Sequence, residues 1–254
     1  MLFQMCYGPE IEVIYETIRK NPGLDTPVLR NEYQYDAKGD ISSLIDSVLT
    51  ILEDLQFIRK EEKGFVPTEG RPWSNIEVFS RLQVIAHEEV SREDSLNYIF
   101  ASLYEQFFVR PDRMFVTNLH YLVNRKFTKT LVGHEKINAW KRMMECWGLG
   151  RRVYSGFYAL PHLSLLKQII MDVGEWEGGL HPFCETKIHP TLPCITAEGN
   201  IFKGIIFGLM ALHERNRVEI SYKQDLPYKS YGPKSEWNWI QIGKQVETYD
   251  TLFE

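Results

Sequence analysis

The chain has 254 residues, 44% of them apolar, and carries 34 acidic side chains against 29 lysines and arginines, for a formal charge of −5. That length suits one to three small modules with a sizeable core, and the acidic balance argues against nucleic-acid binding as the sole task, because free-standing binders are basic. No apolar run is long enough to span a bilayer, MLFQMCYGPE lacks the pattern of a secretory leader, and Cys6, Cys146, Cys184 and Cys194 are too few for a disulfide framework, so a cytoplasmic protein with reduced thiols and no membrane partner is expected.

Pro9 to Lys20 carries Ile11, Ile14 and Ile18 at helical spacing and stops at Asn21-Pro22-Gly23. Thr26-Pro27 opens a short second helix, Lys38-Gly39 breaks the chain, and Asp40 is the expected N-cap of a helix from Ile41 to Leu55. Phe57-Ile58 and Phe65-Val66 flank a charged turn through residues 59–64 and read as a hairpin. Three helices followed by a hairpin is the order of a winged helix, so residues 1–70 are expected to form an N-terminal winged helix. Its third helix carries Asp46, Glu53 and Asp54, and no basic residue precedes Arg59. Carboxylates repel phosphates, so a protein contact suits this copy better than a DNA groove.

Thr68 to Ser74, with Gly70 and Pro72, marks the first boundary, and residues 71–132 are expected to be a helical middle region. IEVFSRLQVIAHEEV, EDSLNYIFASLYEQFF and MFVTNLHYLVNRKF each show helical apolar spacing, separated at Ser91-Arg92-Glu93 and Arg110-Pro111-Asp112. Tyr98, Phe100, Tyr104, Phe107 and Phe108 read as packing between helices in preference to a ligand pocket.

Arg125, Lys126, Lys129, Lys136, Lys141, Arg142, Arg151 and Arg152 face only Glu135 and Glu145 as local opposition, which makes this the one clearly basic region. Within it, INAWKRMMECWGLG predicts a helix with Ile137, Trp140, Met144 and Trp147 inward, the Lys141-Arg142 side outward, and an end at Gly148 or Gly150. Such a stripe can hold phosphates without reading bases; it can equally be a solvated face complementing the acidic remainder.

Residues 133–254 are expected to form a C-terminal winged-helix-like module with a Pro/Gly-rich loop at 172–199. ALPHLSLLKQIIM predicts a helix that tolerates Pro161 in its first turn. Ile201, Ile205, Leu209 and Leu212 then repeat the intervals of Ile41, Ile45, Leu49 and Leu52, and Val218, Ile220 and NWIQI continue as a β-ribbon. The same unit therefore occurs twice. Lys203, His213, Arg215 and Arg217 make the second copy the more basic, so if either winged helix touches DNA it is this one. The expected fold is mainly α with small β wings, an α+β chain of tandem winged-helix modules joined by a helical middle region.

In HPFCETKIHPTLPC, the residues His181, Cys184, His189 and Cys194 have the spacing of a zinc knuckle with histidine in the first cysteine's place. Two thiolates and two imidazoles suit structural zinc; the other reading is a proline-rich surface loop with incidental ligands, and no metal or cofactor is assigned. Gly148-Leu149-Gly150 lacks the rest of a phosphate loop, His134-Glu135 lacks the second histidine of a zinc hydrolase, and no serine sits in a nucleophile elbow. No enzymatic activity is expected.

The order of parts, with the helix end from Trp140 to Gly150 (Trp-x6-Trp-Gly-Leu-Gly), the helix start Leu-Pro-His-Leu-Ser-Leu-Leu, and a closing helix with Leu209-x2-Leu212 before a wing, resembles small accessory subunits of bacterial defence operons. The group it most resembles is the small middle subunit of Lamassu-type systems, encoded beside an SMC-like ATPase and an effector nuclease; the accessory protein of deazaguanine DNA-modification clusters has a similar layout. The resemblance implies a non-catalytic subunit that links those two partners and helps sense foreign DNA such as phage genomes or plasmids; with the basic 125–152 face and second module along the DNA backbone, weak and non-specific binding of double-stranded DNA is expected. The alternative is a winged-helix transcription regulator that reads a short site.

Overall fold

A computed structural model describes residues 1–34, 39–88, 95–224 and 229–243. Lys38 and Ser91-Arg92-Glu93, where two chain breaks were expected, lie outside the described residues. The chain is α+β, about half helical with small antiparallel sheets, and divides into two compact units. One comprises residues 1–104 and 115–158, the other residues 105–114 and 159–254.

The first unit begins with α1 (Pro9–Lys20), α2 (Thr26–Tyr33) and α3 (Ser42–Asp54), followed by the hairpin β1 (Ile58–Glu61) and β2 (Gly64–Pro67). Asp25 caps α2 by accepting from the Val28 amide. Asp40 accepts from the Ser42 amide at 2.8 Å from one position outside the helix, so Ile41 takes the cap position the sequence assigned to Asp40. Ile11, Ile14, Ile18, Leu29, Ile45, Val48 and Leu52 are buried, which is the apolar stripe of each helix turned inward. Between α1 and α2, Leu24 forms an antiparallel bridge with Phe65 of β2. The linker after β2 is anchored to this core. Trp73 stacks on Phe57 with ring centroids 4.8 Å apart, Tyr15 donates to the Arg71 carbonyl at 2.6 Å, and Arg81 of α4 (Asn75–Glu88) lies over the Phe57 ring at 4.3 Å.

Next come α5 (Leu96–Tyr104), β3 (Phe115–Val116), α6 (Leu119–Lys126), α7 (His134–Cys146), β4 (Arg151–Val153) and β5 (Gly156–Tyr158), with β5 between β3 and β4 in the sheet. A single helix was expected over MFVTNLHYLVNRKF. Its first part instead forms β3, Phe115 pairing Tyr158 and Val116 pairing Phe157, and left-handed Asn118 separates the strand from α6. Trp140 fills the centre; its Nε1 donates to the Phe100 carbonyl at 3.1 Å and its ring meets Phe157 edge-on.

In the second unit α8 (Leu163–Val173) starts two residues after Pro161, so the proline precedes the helix. The stretch 172–199 is not irregular. It holds β6 (Trp176–Gly179), α9 (Leu180–Phe183) and a π-helical turn at Cys184–Ile188, and leads into α10 (Lys203–Glu214), β7 (Glu219–Ser221) and β8 (Trp239–Ile242). β8 lies between β6 and β7. Leu165, Ile169, Phe183, Phe202, Ile205, Leu209 and Ile240 pack the interior.

One topology therefore occurs three times: helix, short strand, helix, helix, hairpin, with the short strand antiparallel to the last one. It runs through α1–β2, α5–β5 and α8–β8. The third helix of each repeat ends in the same way. Left-handed Gln56, Gly148 and Asn216 follow α3, α7 and α10, and the next amide returns to the carbonyl of Leu52, Met144 and Leu212 at 2.8, 2.8 and 2.9 Å. This register makes Ile45, Ile137 and Ile205 equivalent, and likewise Leu49, Lys141 and Leu209. The boundary expected at 132/133 falls between α6 and α7, inside the second repeat.

Candidate nucleic-acid interface

The basic region belongs to the middle repeat. Asn124, near the end of α6, closes the following loop with two bonds: its Oδ1 accepts from the Val132 amide at 2.8 Å and its Nδ2 donates to the Val132 carbonyl at 3.0 Å. Phe127 is buried beneath, edge-on to Tyr98. Arg125 and Lys126 are exposed in the last turn of α6, and the clamped loop turns Lys129 and Leu131 outward ahead of α7, where Lys136 is half-buried in the first turn.

On the far side of α7 the β4–β5 hairpin presents Arg151, Arg152 and Tyr154, all exposed. Arg152 is tied to Glu145, its amide and its Nε donating to the two carboxylate oxygens at 2.9 and 2.5 Å. Burial raises the Glu145 pKa, but these bonds from Arg152 outweigh it and hold the carboxyl below its ordinary value.

Two residues of the stripe lie elsewhere than the sequence placed them. Lys141 is only 5% exposed, and its Nζ donates to the Ser155 carbonyl at 2.6 Å, so it points under the hairpin and not into solvent. Burial, and secondarily the nearby Arg152, lowers its pKa. Arg142 lies over the Tyr7 ring at 4.8 Å, and its Nε and Nη2 are enclosed without a hydrogen-bond partner. The reason is the N-terminal segment, which crosses the second half of α7. A Cβ on Gly8 would sit 2.5 Å from Cys146, Phe3 meets Phe100 edge-on, and Cys6 is buried. Helical periodicity alone cannot reveal cover supplied by residues so distant in sequence.

In the third repeat the candidates are spread apart. Lys203 opens α10 and pairs with Asp112 at 3.0 Å, whereas Arg215 and Arg217 follow the helix end about 18 Å away along its axis. Gly204, Ile205, Ile206, Gly208, Leu209 and Leu212 are buried, so half of the helix's 12 residues are enclosed. His213 fixes the start of the ribbon through Nδ1, 3.1 Å from the Val218 carbonyl and 3.2 Å from the Ile220 amide. With Arg217, Asn216 and Gln241 it lines a groove of about 500 Å³.

The four zinc-spaced residues do not form a ligand set. His189 Nδ1 accepts from the Cys194 amide at 3.0 Å, Cys194 Sγ donates to the Cys184 carbonyl at 3.3 Å, and His181 shares a 2.5 Å hydrogen bond with the Tyr231 hydroxyl. Among the described residues no three His, Cys, Asp or Glu side chains converge to hold a metal ion. The surface-loop reading is also corrected, because Cys184, Ile188, Leu192 and Cys194 are fully buried and burial pushes both thiols up.

Tyr154, Asn124 and the anchoring role of Lys141 were not singled out by the sequence. Only the pairing of Val153 with Gly156, which defines the turn, reveals the first. No described helix is long and apolar enough to cross a membrane. No family model, curated protein or solved structure matches the chain.

Proposed function

We propose that the three repeats are winged-helix modules and that the chain is a non-catalytic subunit of a DNA-acting complex, lying along the DNA backbone through its middle repeat. The observation that carries this reading is the placement of Arg125, Lys126 and Lys129 across the last turn of α6 and the loop before α7, and of Arg151 on the hairpin beside it. A winged helix straddles phosphates with those two parts. The cover of residues 1–8 over the second half of α7 favours backbone contact over base readout, and so favours a non-specific binder over a transcription regulator. The acidic α3 of the first repeat suits a protein partner. The resemblance to the small Lamassu-type subunit supplies the assembly: a cytoplasmic link between an SMC-like ATPase and an effector nuclease in defence against phage or plasmid DNA.

The test is a titration of the full chain with two unrelated 30-bp duplexes between 50 and 200 mM salt. Similar affinities, falling with a log–log slope of about −3 to −4, are expected for some four neutralised phosphates. Affinity for one sequence that is a hundredfold tighter would establish the regulator instead. Co-expression with the genomic neighbours tests the assembly: an ATPase and a nuclease co-eluting at fixed ratio support it, and elution alone contradicts it.

A further inference from the structure

The hairpin of the middle repeat is built around an unfavourable choice. Val153 pairs with Gly156, leaving Tyr154-Ser155 as a two-residue turn, and Tyr154 takes φ +52°. The first position of such a turn calls for glycine, asparagine or aspartate, because a bulky side chain at positive φ is strained. The Tyr154 side chain is 99% exposed, so no packing within the described chain offsets that strain. Unlike Gln56 and Asn216, which end helices, Tyr154 has no capping bond among the described residues to account for its conformation, and strain of that kind points to a use outside the fold.

The surroundings indicate which function. Arg151 and Arg152 lie on the strand leading to the turn, and Phe115, 42% exposed, covers Gly156 at its base. The apex is held from beneath by the bond from Lys141 to the Ser155 carbonyl. A rigidly mounted, solvent-facing aromatic ring beside Arg151 has the chemistry of a base-stacking platform: the ring meets the flat face of a base while the Arg151 guanidinium meets its phosphate.

We infer that the β4–β5 hairpin is a stacking prong for an exposed nucleobase, and that the middle repeat takes DNA with unpaired or terminal bases in preference to uninterrupted duplex. The inference rests on the backbone-binding reading of the same repeat. In a continuous duplex each base is already stacked on both faces, so Tyr154 gains nothing there. At a strand end or a frayed junction one face is open.

The experiment compares two labelled DNAs of the same duplex sequence, one closed at both ends by base-free linkers as a dumbbell and one carrying a single-stranded extension, against the full chain. The extended DNA is expected to bind about tenfold tighter. Tyr154→Phe should keep that preference. Tyr154→Gly suits the turn and so leaves the fold intact; it should abolish the preference without changing dumbbell affinity. Lys129→Glu should weaken both complexes. Equal affinity of the wild-type chain for the two DNAs, or a preference that survives Tyr154→Gly, overturns the prong and leaves Tyr154 to a protein partner, while dumbbell binding lost in Lys129→Glu keeps the backbone reading. Binding to neither DNA overturns both.

Discussion

Lys141 donates from Nζ to the carbonyl oxygen of Ser155 at 2.6 Å, from a helix position that leucine occupies in both other repeats. Leu49 and Leu209 there are buried core residues; Lys141 is equally buried, but spends its ammonium group on holding the turn of the neighbouring hairpin. A buried cation with one hydrogen-bond partner is a poor way to fill a core. Its use lies in fixing the hairpin.

Lys141→Leu separates the two roles. Restoring the residue of the other repeats should leave global stability unchanged or raise it by about 1 kcal/mol in denaturant unfolding. Amide exchange at residues 153–156 should nevertheless accelerate, because the exposed Ser155 carbonyl then bonds only to water. A large loss of stability with unchanged exchange would mean that Lys141 is chiefly structural.

The shared helix ending makes a second prediction. Gln56 and Asn216 occupy a left-handed position that Gly148 fills without strain. Gln56→Gly should stabilise by about 1 kcal/mol and Asn216→Gly by somewhat less, since asparagine tolerates that conformation better; Gly148→Ala should cost about 1 kcal/mol. Thermal or urea unfolding measures all three.

Gly64 is under a stronger constraint. At φ +140° an added Cβ would lie 2.4 Å from the Gly23 carbonyl oxygen, a backbone atom that cannot turn aside. Gly64→Ala is expected to cost about 2–4 kcal/mol in urea unfolding. Gly39→Ala, which meets nothing within 4 Å among the described residues, should stay within about 0.5 kcal/mol of the parent.

Burial pushes the Cys6 thiol up to about 12 and the Tyr231 hydroxyl likewise, and raises the thiols of Cys184 and Cys194 and the hydroxyl of Tyr15. In each case the folded state keeps a proton that the unfolded chain releases at lower pH. Stability is therefore full below the ordinary thiol range, about pH 8.5, and falls as pH rises towards 12. Lys141, with its lowered pKa, contributes the opposite slope just below the ordinary lysine value, one group against these five and the Cys146 thiol, which burial also raises. Urea unfolding at pH 8 and pH 10.5 should show a net loss, and Cys6→Ala should show a smaller one.

Much of this fold was legible. The Ile-x3-Ile-x3-Leu-x2-Leu stripe marked α3 and α10, because both helices bury one face against their own module and each feeds a hairpin. The same four positions of α7 hold Gly133, Ile137, Lys141 and Met144. Glycine and lysine break the stripe, so the middle repeat read as plain helix. Its strands are also too short and too basic to show period-two alternation: β3 has two residues, and β4 is Arg-Arg-Val. The basic residues were found as a group, but sequence distance could not separate loop cations from Arg142, enclosed by Tyr7, or from Lys141, directed inward. In the 180–194 stretch the histidines and cysteines attracted attention as ligands. Their bonds to the backbone and to Tyr231 show that they secure a packed turn.

We place the proposed DNA contact on the middle repeat. It is tested most directly by comparing two triple charge reversals of the full chain, Arg125→Glu/Lys129→Glu/Arg151→Glu and Lys203→Glu/Arg215→Glu/Arg217→Glu, for duplex affinity across a salt series, with circular dichroism as the check on folding. The first variant is expected to lose at least tenfold in affinity and to flatten the log–log salt slope by about 3, while the second stays within a fewfold of the parent. Loss confined to the second variant, with the first binding as the parent does, would contradict it.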